Sequence, residues 1–197
     1  MAKIMQKTYM PLYYPDFIAH IGVAILLCYR KIKYGLAFRK IKLTQEKYAM
    51  VSQEDFEEIN KHKWSAVNNH NETYYAIRGI YINRRKKRII MHREIMKPKA
   101  GFVVDHKDGD GLNNTRENLR IVTAAENAYN RKKHKNKCSS KYKGVSREKD
   151  SKKWRAIINY KGIPIRLGFF DSEIEAAKAY DDAAKELYRE YAKLNFG

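Results

Sequence analysis

The stretch 103-VVDHKDGDGLNNTRENLRIVTAAEN-127 decides how this chain is read. It opens on a β-branched run, crosses a loop rich in Gly, Asn and Asp, and returns to the apolar run Leu119 to Val122. Thr123, with Glu126 three residues later, has the spacing of a capping box, so a helix starts there. The order is strand, loop, strand, helix. Two kinds of metal loop can be written on these letters. Counted from His106, the residues Asp108, Asp110, Gly111 and Glu117 fall at ligand or turn positions of a calcium loop. That reading fails on its flanks. A calcium loop needs an amphipathic helix on each side, and residues 98 to 105, PKAGFVVD, hold a Pro, a Gly and a β-branched pair. Its first position is His106 instead of Asp, and its apolar position is Asn113.

A nuclease makes different demands. Cutting a phosphodiester with water needs a base beside the water and a divalent cation on the scissile phosphate. Asp105 ends the first strand and Asn127 lies near the start of the helix. If the strands pair, the helix folds back and brings Asn127 toward Asp105. Both offer oxygen, which suits magnesium or manganese better than zinc. His106 is then free of the metal and can take the water's proton at neutral pH. The Asn118 amide can hydrogen-bond loop backbone and hold the turn in shape.

These residues resemble the His-Asn-His (HNH) endonucleases of the intron- and phage-associated homing type, whose active site is a ββα-metal motif. The resemblance implies Asp105 and Asn127 as metal ligands, His106 as general base and Asn118 as the bracing Asn, with one Mg²⁺ (or Mn²⁺) per active site. The third family position, often His, is Asn127 here, which goes with magnesium and against tight zinc binding. LTQEKYAMVSQEDFEEINKHKW and MHREIM resemble the leader of this branch, so the likeness covers roughly residues 40 to 131. Asp108 and Asp110 read as turn formers, His92 as a hydrogen-bonded structural histidine and Arg93 as a candidate phosphate contact.

Composition agrees with a polyanionic partner. Lys plus Arg is 41 and Asp plus Glu is 22, a net charge of +19 over 197 residues, and double-stranded DNA is the first candidate. Cys28 and Cys138 stand in no metal spacing, which argues against a disulfide framework or a Cys-based zinc site and suits a reducing intracellular compartment. The reading places the protein in the cytoplasm of a bacterial or phage-infected host. FIAHIGVAILLCY, residues 17 to 29, is too short to span a bilayer and reads as a packed helix or strand, or as a segment poorly integrated with the rest. No membrane association and no obligate protein partner are expected. SQEDFEEINKHKW starts a helix at Ser52. TYYAIRGIYIN and KKRIIMHREI are β-rich runs, with RRKKR (84 to 88) as a basic turn between them.

The last sixty residues read as a second unit. Three short strands, KYKGVSREKD, KWRAIINYKG and IPIRLGFF, precede a helix opened by a Ser172–Glu175 capping box, with apolar residues from Ala176 to Tyr191 at helical spacing. Gly144-Val145, Trp154, Ala156, Leu167-Gly168, Phe170, EAAKAYDDAA and the closing LNF resemble the DNA-binding domain of plant ethylene-response (APETALA-type) factors over residues 140 to 196. That resemblance implies a sheet lying in the major groove with a helix behind it. Alternation turns Trp154, Ala156 and Ile158 to the helix, and Arg166 outward between buried Ile165 and Leu167. The candidate DNA contacts are Lys143, Ser146, Arg147, Lys153, Arg155, Asn159 and Arg166, with Arg93 from the first unit. The fold class is α+β: a ββα-metal HNH nuclease domain followed by a three-stranded antiparallel sheet packed on one helix. The divisions are an N-terminal segment 1–37, the nuclease domain 38–131, a basic linker 132–139 and the DNA-binding domain 140–197. The expected function is site-specific cleavage of double-stranded DNA, by nicking. The rival is a sequence-specific DNA-binding regulator that does not cleave.

Overall fold

The computed structural model describes residues 16–69, 73–133, 138–148 and 151–197. The central part of the basic linker, residues 134–137, lies outside the described residues. Residues up to Arg39 form one compact unit and Lys40–Gly197 another. The first contains α1 (Asp16–Tyr34), a helix along which Ile21, Ile25 and Ile32 are exposed. Among the described residues, no helix is long and apolar enough to cross a membrane.

Next along the chain come β1 (Arg39–Lys42), β2 (Tyr48–Val51) and α2 (Gln53–Asn60). Ser52 stands at the N-terminus of α2, yet its hydroxyl makes no helix cap. It accepts instead from the Arg116 N–H at 2.9 Å, while the Arg116 guanidinium pairs with Asp55 at 2.7 and 2.8 Å. The helix start is thereby used to hold the far end of the site loop. An antiparallel sheet follows, made of β3 (Ser65–Asn69), β4 (Thr73–Ile82) and β5 (Arg85–Ile90). Its second hairpin turns on Asn83 and Arg84, both at positive φ, as a two-residue turn with the right twist requires. The RRKKR run is therefore mostly strand, with only Arg84 in the turn. MHREIM is α3 (Met91–Met96), not a continuation of the strand. Burial of Met91, His92 and Ile95 against the core sets its face, and Lys97 in the left-handed region closes it before Pro98. Six residues are too few for their periodicity to announce a helix.

The deciding stretch forms β6 (Val103–His106), β7 (Asn113–Asn114), β8 (Leu119–Val122) and α4 (Ala124–Tyr129). β6 and β8 pair antiparallel, with Asp105 opposite Arg120 and His106 opposite Leu119. Thr123 accepts from the Glu126 N–H, and the Glu126 carboxylate takes the Thr123 N–H at 2.7 Å, so the capping box is present. β7, invisible as a strand in the sequence, pairs in parallel with β2. One apolar core, including Val51, Trp64, Met91, Val104 and Leu119, joins β2, α3, β6 and β8.

The C-terminal sheet is β9 (Val145–Arg147), β10 (Trp154–Tyr160) and β11 (Ile163–Phe170), in the order β11-β10-β9, antiparallel, with α5 (Glu173–Tyr188) on one face. Ala156 and Ile158 are fully buried under Ala176, Ala177, Tyr180 and Ala184. Gly144 is indispensable to this packing. Its φ is +76°, and a Cβ there would stand 2.0 Å from the Tyr180 ring. Three expectations are corrected. Ser172 caps α5 through the Ile174 N–H, not through a Glu175 box. Tyr191 lies past the helix, in a 3₁₀ turn (Arg189–Tyr191). Ile165 faces the same side as its partner Ile158 but is 38% exposed, because β11 is an edge strand.

α4 packs on this unit. The Tyr129 ring stacks on Tyr188 at 3.9 Å and 7°. Its carbonyl accepts from Lys143 Nζ at 2.5 Å, and its hydroxyl accepts from the Lys161 N–H at 3.1 Å.

Candidate active site

Asp105 and His106 close β6 and are 6% and 5% exposed. Neighbours in sequence on a strand point to opposite sides, so the two are held by different partners. His106 Nε2 lies 3.3 Å from Asn114 Oδ1, an acceptor, which places the proton on Nε2 and the lone pair on Nδ1. The His92 ring meets the His106 ring edge-on at 4.9 Å, and Tyr75 flanks both. Burial pushes the His106 pKa below its usual value, against the weaker opposing pull of Asn114 and the nearby carboxylates. Burial, with His106 and Arg93 nearby, pushes His92 down to about 3. Both rings are neutral at neutral pH. The His92 Nδ1 is buried without a hydrogen-bond partner among the described residues.

The loop between β6 and β8 is built from side chains bonded to backbone. Asn118 Nδ2 donates to the Asn113 carbonyl at 2.8 Å and to Asp108 Oδ1 at 2.9 Å, and its Oδ1 accepts from the Asp108 N–H at 3.1 Å. Asp108 also takes the Asp110 N–H and the Asn113 amide, and Asp110 takes the Leu112 N–H. These carboxylates are spent on the turn. Asn113, Asn114 and Thr115 are buried, which the sequence alone does not mark. Gly111 is required by close approach: a Cβ would lie 2.5 Å from the Tyr74 carbonyl and 2.7 Å from the Tyr75 ring.

Asp105 is held by residues that sequence reasoning missed. Arg120, opposite it in the ladder, reaches Oδ2 with Nε at 2.9 Å and Nη2 at 2.8 Å. Asn130 Nδ2 donates to both carboxylate oxygens at 3.0 and 3.1 Å, and to the His106 carbonyl at 2.9 Å. The sole sequence signal for Arg120 was a charge within an apolar strand run. No hydrogen bond among the described residues joins Asn127 to Asp105. Asn127 does lie three residues before Asn130, at the spacing that shares a helix face. No group of three or more His, Cys, Asp or Glu forms a metal cluster among the described residues. One carboxylate and one amide oxygen fit a hard cation that keeps water and takes its other ligands from phosphate. They do not fit a closed zinc site.

A cleft of about 400 Å³ beside Arg120 and Asn130 is also lined by Lys107, Glu190, Lys193 and Gly197. A groove adjoining it is lined by Lys132, Lys133, Lys141, Lys143 and Lys193. In the C-terminal sheet, the register puts Ser146, Arg155, Asn159 and Arg166 on the face away from α5. Arg166 and Asn159 are exposed, whereas Arg155 pairs with Glu148 at 3.2 Å. Three other candidates stand elsewhere. Arg147 pairs with Trp154 on the helix side and lies over its ring. Lys153, just before β10, is 3.6 Å from Asp171. The Lys143 ammonium is turned to the Tyr129 carbonyl, and burial pushes its pKa down to about 8. Arg93 is exposed on α3.

Residues 96–129 match the family model described as HNH endonuclease. An uncharacterized HNH endonuclease of Acanthamoeba polyphaga mimivirus is 29% identical over 148 residues, 75% of this chain and 74% of that protein. An ethylene-responsive transcription factor of Arabidopsis thaliana is 39% identical over 104 residues, 49% of this chain and 60% of the plant protein. Protein 3.8 of Escherichia phage T7 is 37% identical over 62 residues, 32% of this chain and 50% of the phage protein. No solved structure matches the chain. Residues 96–129 of the chain are thus similar to the HNH endonuclease family, and part of the chain is similar to an ethylene-responsive transcription factor.

Proposed function

We propose that this protein is a DNA endonuclease of the homing type, in which residues 38–131 cut and residues 140–197 read. The observation that carries the reading is the burial of Asp105 and His106 side by side at the end of β6, inside the segment that matches the HNH family. A carboxylate and an imidazole kept out of water are costly to the fold, and such pairs concentrate where chemistry is done. In this reading His106, neutral through burial, takes a proton from the attacking water at Nδ1. Asn118 keeps the loop that carries it in shape. Asp105 and Asn127 would hold one Mg²⁺ or Mn²⁺. That cation supplies charge stabilisation to the leaving 3′ oxygen. The products carry 5′-phosphate and 3′-hydroxyl ends, and one site per chain nicks one strand.

The exposed residues Asn159 and Arg166, with Ser146 and Arg155, form the face that meets double-stranded DNA. The lysine-lined groove gives the backbone a path from that unit toward Asp105. The reading keeps the protein in the cytoplasm of a bacterial or phage-infected cell, which the likeness to a phage protein supports. The test uses plasmid DNA carrying the protein's own gene locus, and the homologous locus lacking the gene or intron, each with and without Mg²⁺. Wild type nicks DNA only with the cation. His106→Ala lowers the rate by roughly 10²–10⁴-fold and keeps DNA affinity. Binding without any Mg²⁺-dependent break in wild type would favour the non-cleaving regulator.

A further inference from the structure

We propose that Arg120 is a positioning residue that makes the setting of Asp105 depend on the C-terminal unit. The nuclease reading gives Asp105 its importance; the link itself rests on geometry. The Arg120 guanidinium joins two parts of the chain that are 70 residues apart. On one side, Nε and Nη2 hold Asp105 Oδ2 at 2.9 and 2.8 Å. On the other, Nη1 donates to the Glu190 carbonyl at 2.8 Å, and Cζ lies 4.5 Å from the centroid of the Tyr191 ring. Each edge of the planar fork is engaged and one face is covered, so the group cannot turn without breaking a contact. The ion pair is also dry, with side chains 15% and 7% exposed, so its geometry is held more tightly than that of a surface pair.

The consequence is directional. Arg120 contacts Oδ2, which Asn130 also reaches, whereas among the described residues Oδ1 takes a hydrogen bond from the Asn130 amide alone. The guanidinium therefore decides how the carboxylate is turned and which oxygen stays less committed. Glu190 and Tyr191 sit in the 3₁₀ turn that follows α5, the helix behind the DNA-facing sheet. A shift of that turn against β8 moves Arg120, and with it Asp105. The nuclease segment alone would leave the Nη1 edge and the guanidinium face without these partners. A residue that orients a metal ligand in this way is worth a large factor in cation affinity.

The test is a Mn²⁺ titration of the full-length protein by calorimetry, without DNA, on wild type, Tyr191→Leu, Arg120→Ala and the double variant. Tyr191→Leu leaves every residue around Asp105 in place. It is expected to weaken Mn²⁺ binding about tenfold in the wild-type background and to have no effect in the Arg120→Ala background. Tyr191→Phe, which keeps a ring under the guanidinium, should bind as wild type does. An unchanged affinity for Tyr191→Leu, or an equal loss in both backgrounds, overturns the link. Thermal melting of the metal-free protein judges it independently, through the cycle of Asp105→Asn with Tyr191→Leu. Coupled residues give a double-variant shift that departs from the sum of the single shifts; additive shifts overturn the proposal. Absence of Mn²⁺ uptake by wild type would count against the nuclease reading alone, and the melting cycle would still decide the link.

Discussion

The site loop, residues 105–118, and the C-terminal unit solve the same problem with opposite materials. The loop buries polar side chains. Asn113, Asn114, Thr115 and Asn118 are each 8% exposed or less, and their hydrogen bonds to backbone and to one another's side chains define the turn. The C-terminal unit buries Ala156, Ile158, Ala176, Ala177 and Tyr180 between a sheet and a helix, and volume defines the fit. Hydrogen bonds are directional and costly to leave unmade, so the loop should tolerate little change of chemistry. Close packing is non-directional but unforgiving of added bulk. Asp181, buried in α5, adds one polar lock to the apolar side. Its carboxylate takes the Asn195 and Phe196 N–H groups at 2.8 to 2.9 Å and so fixes the closing LNF.

The largest effect should come from bulk on the C-terminal side. Gly144→Val places atoms inside the Tyr180 ring position at positive φ, and should cost about 3 kcal/mol or more. Urea unfolding would show it. A near-wild-type midpoint would mean that this core is not set by volume. On the loop side, Asn118→Leu keeps size and deletes the bonds to Asn113 and Asp108. We expect a loss of about 2–4 kcal/mol, with nicking falling alongside stability. Ile158→Val, the matched apolar trim in the other region, should cost only about 1 kcal/mol. If the two trims cost the same, the contrast between polar and apolar specification fails.

The smallest effect concerns pH. Burial favours the neutral form of His106, and the neutral form is the base. Lowering pH protonates it, so nicking should fall on the acid side with a midpoint below about 6.5 and be level through neutrality. A rate–pH profile measured at saturating Mg²⁺ checks this. A midpoint above the ordinary histidine value would remove His106 from the role of buried base.

Much of the architecture is legible in the sequence because it is written locally. The Thr123–Glu126 box starts α4 where it appears, and the alternation in KWRAIINYKG turns Ala156 and Ile158 inward. Asp105 and His106 are adjacent in the sequence and adjacent at the strand end. Local patterns fail where an element is too short for a period to show, as in α3 and in the two-residue β7. They also fail where a residue serves a distant partner: Ser52 reads as a cap and instead holds Arg116.

What the sequence by itself determined was the strand–loop–strand–helix order, the three-stranded sheet with its helix, and the identity of the Asp-His pair. Periodicity, turn chemistry and caps act over a few residues and leave a readable trace. Only the tertiary structure decided which groups surround Asp105. Arg120 meets it across a ladder, Asn130 reaches it from the end of α4, and Glu190 and Tyr191 hold Arg120 from the far end of the chain. Such contacts are set by how elements pack, and packing brings together residues whose separation along the chain carries no pattern.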